Sequence, residues 1–61
     1  MDDGFNMSMR KFLKQVGITS QKAIEDALRD ASDGNYKVDA IIVIEDAGLE
    51  HTVSGTITIG D

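Results

Sequence analysis

Hydrophobic positions change their spacing partway along the chain, and the change marks two kinds of structure. Phe5, Met9, Phe12, Leu13 and Val16 fall at i, i+4, i+7, i+8 and i+11, one stripe of a 3.6-residue helix. The spacing predicts a helix over 6–16, with Asn6 or Ser8 as its cap, Lys14 in its last turn and Gly17 as a left-handed stop. Ile24, Ala27, Leu28 and Ala31 form a second stripe and predict a helix over 20–32, capped by Thr19 or Ser20. On its outer face Lys22 and Asp26, and Glu25 and Arg29, stand at i, i+4. Ser32-Asp33-Gly34-Asn35 closes that helix, with Gly34 or Asn35 able to take positive φ.

Beyond Tyr36 the period becomes two. Leu49, His51, Val53, Gly55, Ile57 and Ile59 alternate with polar residues over a predicted strand 49–59, and Lys37 to Glu45 forms the other strand, 37–45. Pairing Ile44 with Leu49 across Glu45–Gly48 places Val38, Ala40, Ile42 and Ile44 on the face of Leu49, Val53 and Ile57, the face the helices are expected to cover. A two-residue turn at Ser54-Gly55 would make a three-stranded meander instead. It would set Thr52 opposite Ile57 and Val53 opposite Thr56, mixing the faces, so the unbroken strand is favoured. The expected fold class is α+β: two short N-terminal helices and an antiparallel hairpin in one small domain over 1–61.

The run Ala40-Ile41-Ile42-Val43-Ile44 departs from alternation. With Ile42 and Ile44 inward, Ile41 and Val43 point the other way, beside Thr52, Ser54 and Thr56. A chain of 61 residues buries only about 60% of the surface its unfolded form exposes, and two short helices cannot cover both faces of a hairpin. Disulfides and thiolate zinc sites are excluded, because there is no cysteine. A second copy is the expected remedy, by stacking the Ile41/Val43 faces, by pairing edges, or by exchanging strands between chains. The predicted homodimer interface is therefore Ile41, Val43, Thr52, Ser54 and Thr56.

Charge sharpens the choice of partner. Residues 1–29 hold five bases against four acids, whereas residues 30–61 hold Lys37 against seven acids, and the whole chain carries −5. An acidic half repels phosphate backbones and argues against nucleic acid. The local pattern Phe12 to Ile24, with Gly17-Ile18-Thr19 as a corner, is nevertheless that of a helix-turn-helix followed by a hairpin wing. On the second helix the outward face has more acids than bases, so a winged-helix-like nucleic-acid binder or transcriptional accessory stands only as the alternative. Arg10, Lys11 and Lys14 on the outer side of the first helix are either a solvated face or a contact for an acidic protein partner.

No catalytic or cofactor constellation emerges. His51 has no carboxylate or nucleophile at diagnostic spacing and reads as a strand residue near the turn. Asp30, Asp33 and Asp39 imitate a calcium loop, but with Gly34 as its glycine Arg29 and Ala31 would be ligands. No phosphate cradle or nucleophile elbow is present, so no catalytic residue, cofactor or metal is expected. No stretch approaches the roughly 20 apolar residues of a membrane span, and the acidic start is not signal-like, so the cytoplasm is the expected compartment.

Phe5-Asn6-Met7-Ser8, Arg10-Lys11-Phe12-Leu13-Lys14, Val16-Gly17-Ile18-Thr19-Ser20-Gln21 and Ile24-Glu25 resemble the N-terminal signature of a family of very short bacterial proteins of unknown function. The resemblance covers residues 5–25, with Gly48-Leu49 and Thr52-Val53 similar in kind. It implies a free-standing bacterial protein and a turn signal near Ser54-Gly55, and it implies no activity. The expected role is a small non-catalytic module for protein interaction, with itself as first partner.

Overall fold

The structure, a computed structural model, describes residues 2–60; Met1 and Asp61 of the expected 1–61 domain lie outside the described residues. The chain divides into two compact units, Met1–Ala31 and Ser32–Asp61. The first holds one helix, α1 (Asp3–Leu28), and the second a two-stranded antiparallel sheet, β1 (Gly34–Ile44) with β2 (Leu49–Ile59). The fold is α+β.

The two expected helices are one. α1 runs for 26 residues, about 39 Å at 1.5 Å per residue, straight through Gly17-Ile18-Thr19. Its two stripes are in phase: Leu13 to Ile24 and Val16 to Ala27 are each eleven positions, close to three turns. A corner at Gly17 would break that phase. Gly17 is not among the glycines of positive φ, and Thr19 does not cap a new helix, because its hydroxyl donates to the Gln15 carbonyl at 2.9 Å. The start also differs from the expected Asn6 or Ser8. Asp2 is the cap, its Oδ1 accepting the Phe5 N–H at 2.6 Å, which satisfies one of the free donors of the first turn. At the other end the helix stops four residues short of residue 32, where the Ala31 N–H turns back to the Leu28 carbonyl at 3.1 Å.

Continuity reverses the expected effect of changing Gly17. A Cβ added there meets nothing within 4 Å. Gly17→Ala should therefore stabilise α1 by about 1 kcal/mol, by removing the backbone entropy of a mid-helix glycine. Helicity by circular dichroism and the melting temperature should both rise. A fall in either would show that the helix turns at Gly17.

In the hairpin the register is the one expected, with Ile44 opposite Leu49, Ala40 opposite Val53 and Tyr36 opposite Ile57. β2 runs unbroken through Ser54-Gly55, so there is no meander, and β1 starts three residues earlier than residue 37. The connection is a single 3₁₀ turn, Glu45–Ala47, ended by Gly48 at φ 64, whose N–H returns to the Glu45 carbonyl at 3.1 Å. Glycine suits that left-handed position because it has no Cβ to clash with its own carbonyl. Tyr36 Oη donates to the Ser32 carbonyl at 2.6 Å and ties the entry of β1 to its approach segment.

Candidate interaction surfaces

Pairing sorts the hairpin side chains into two faces of different character. One face carries Tyr36/Ile57, Val38/Gly55, Ala40/Val53, Ile42/His51 and Ile44/Leu49 as opposed pairs. It carries no Lys, Arg, Asp or Glu at any rung. The other carries Asn35/Thr58, Lys37/Thr56, Asp39/Ser54, Ile41/Thr52 and Val43/Glu50. Its polar end is knit together by Ser54 Oγ donating to Asp39 Oδ1 at 2.6 Å and Thr58 Oγ1 donating to Asn35 Oδ1 at 2.8 Å.

The five residues predicted as an interface therefore share one face. Ile41 and Val43 sit toward its turn end and are 64% and 56% exposed. Sequence reasoning missed Glu50, which stands opposite Val43 and sets a carboxylate at the margin of the apolar pair. Counting Ile44–Leu49 outward one more rung would have found it. His51 lies in β2 opposite Ile42, as a strand residue near the turn.

On α1, Met7, Ser8, Arg10, Lys11 and Lys14 line one open surface depression, so the three cations singled out from sequence do gather. None of the three makes an ion pair among the described residues. Farther along, Lys22 pairs with Asp26 at 3.2 Å as expected. Arg29 also goes to Asp26, at 2.6 Å, while Glu25 accepts from Gln21 at 3.0 Å, so the expected Glu25–Arg29 pair does not form. These exposed contacts are worth a few tenths of a kcal/mol each.

Among the described residues none is buried, and Phe5, Phe12, Leu13 and Val53 are each about half exposed. A helix alone, or a two-stranded sheet alone, has an apolar face that nothing within the same element can shield. No group of three His, Cys, Asp or Glu side chains among the described residues is placed to hold a metal ion. Among the described residues no helix is long and apolar enough to cross a membrane.

Fold and surfaces together define a small α+β protein, one amphipathic helix and one hairpin, with open apolar faces in both. Residues 1–60 match a family of unknown function, DUF6494, and the chain belongs to that family. No curated protein matches the chain, and no solved structure does.

Proposed function

We propose that this protein is a non-catalytic interaction module that works as a homodimer, its open apolar faces covered by a second copy. The observation that carries the proposal is the hairpin, whose Ile41 and Val43 share one face and are 64% and 56% exposed. An isolated two-stranded sheet is marginal in water, and its two 11-residue strands both leave an edge of unpaired backbone groups.

In this reading Ile41 and Val43, with Thr52, Ser54 and Thr56, face the other copy. Arg10, Lys11 and Lys14 remain as the contact for an acidic protein partner. A winged-helix reading loses its basis, since the corner it requires is the middle of α1.

Mass action tests the proposal. Because folding is coupled to association, the melting temperature should rise steadily as protein concentration is raised a hundredfold. A melting temperature independent of concentration would refute the dimer.

A further inference from the structure

The polar side of α1 is not uniformly polar. Met7 and Ile18 are the most exposed large apolar side chains of the helix, at 70% and 59%. Each stands two positions from the apolar stripe, Met7 from Phe5 and Met9, Ile18 from Val16, which turns it about 160° away. Single exposed apolar residues are ordinary. These two close a row. Met7, Lys11, Lys14 and Ile18 fall at i, i+4, i+7 and i+11, with Arg10 flanking Lys11. Met7 shares one open depression with Arg10, Lys11 and Lys14. No acid occurs from Gly4 to Ile24, and none of the three cations has an ion-pair partner among the described residues. The row is therefore a cationic centre with an apolar side chain at each end, about 16.5 Å long.

We infer that this row docks a helix of a different protein, one that carries carboxylates along one face between two apolar side chains. The inference rests on the acidic-partner contact proposed above and specifies the partner's form. Carboxylates answer Arg10, Lys11 and Lys14, while apolar side chains at either end cover Met7 and Ile18 and keep water from the ion pairs. Spacing selects a helix. A second helix repeats its side chains at the 1.5 Å rise of the row itself, whereas three same-face steps of a strand overshoot the row by about 3 Å.

This chain holds no such line of acids. Among the described residues Asp26 is held by Lys22 and Arg29, Glu25 accepts from Gln21, and Asp39 accepts from Ser54. The other described acids stand singly or as adjacent pairs at or near element ends. A nucleic-acid backbone would answer the cations alone, against the repulsion of seven acids in residues 30–61. A lipid surface takes an apolar face bordered by cations, whereas Lys11 and Lys14 lie on the side away from Phe5, Met9 and Val16.

The probe is a fluorescent alanine-based peptide, stapled on its far face to hold it helical. It carries two leucines eleven positions apart and, between them, three glutamates at the spacing of Arg10, Lys11 and Lys14. Anisotropy at physiological salt reads its binding to the full-length chain. Binding is expected, and Met7→Ala with Ile18→Ala should weaken it at least about tenfold, since each truncation uncovers an apolar contact. Lys11→Glu with Lys14→Glu should weaken it at least about a hundredfold. All four positions are exposed on a helix that alanine and glutamate favour, and circular dichroism checks that helicity is unchanged. A peptide with alanine in place of leucine that binds as tightly would leave the acidic contact standing and overturn the inference. Absence of binding to either peptide at millimolar concentration would remove both. Stronger binding to phosphatidylglycerol vesicles or to a DNA duplex than to the leucine peptide would assign the row to phosphate and overturn the inference as well. If Met7→Ala with Ile18→Ala instead lowers the sedimentation mass below that of the wild-type chain, the row belongs to the contact between copies, and the inference falls while the homodimer stands.

Discussion

Val38→Asp is expected to abolish cooperative unfolding. Val38 is only half-buried in a single chain, opposite Gly55 and beside Ala40, with no cation opposite or diagonal to it. Were that face open to water, the carboxylate would remain solvated and the change would stay near 1 kcal/mol. Under a second copy the same carboxylate is taken out of water unpaired, at a cost of several kcal/mol. A domain of this size holds only about 3–5 kcal/mol in reserve. The unfolding curve should therefore lose its sigmoid shape, and hairpin amides should exchange as in an unfolded chain. A cooperative transition shifted by only a degree or two would show that the face is not covered.

The second large effect belongs to the opposite face. Ile41→Thr with Val43→Thr should weaken the pair by at least about a thousandfold, since four side chains per dimer each lose roughly 1–3 kcal/mol of burial. Threonine is β-branched and keeps the strand preference, so the loss reads the buried face and not the strand propensity. Sedimentation of the double variant at micromolar concentration should then give the single-chain mass. If a pair persists with little loss of affinity, the hairpins meet by their edges or by strand exchange, not through Ile41 and Val43.

The hairpin was legible in the sequence almost rung by rung. β-branched residues alternate with polar ones from Leu49 to Ile59, and a slip of one residue would turn every apolar side chain outward, so register follows from pattern. The Ser54-Gly55 dipeptide looks like a turn, yet a turn there would mix the faces, and the strand runs on. The helix was read less well because local signals and long-range phase disagree. Gly17 followed by Thr19 and Ser20 imitates a stop and a cap, but a mid-helix glycine costs only about 1 kcal/mol. One uninterrupted stripe from Phe5 to Ala27 outweighs that cost, and the eleven-residue spacing of Leu13 to Ile24 and Val16 to Ala27 records it. The surfaces follow the same division. Spacing along the chain placed Ile41 and Val43 together on one face and gathered Arg10, Lys11 and Lys14 on another, because both are matters of local geometry. What lies against those faces is a matter of surface that one chain leaves open.

Sedimentation equilibrium of the wild-type protein tests the central claim most directly. The account predicts a mass of twice 6.6 kDa that persists into the micromolar range and gives way to unfolded chain, not folded monomer, on further dilution. A mass of 6.6 kDa at millimolar concentration, with cooperative unfolding intact, would contradict it.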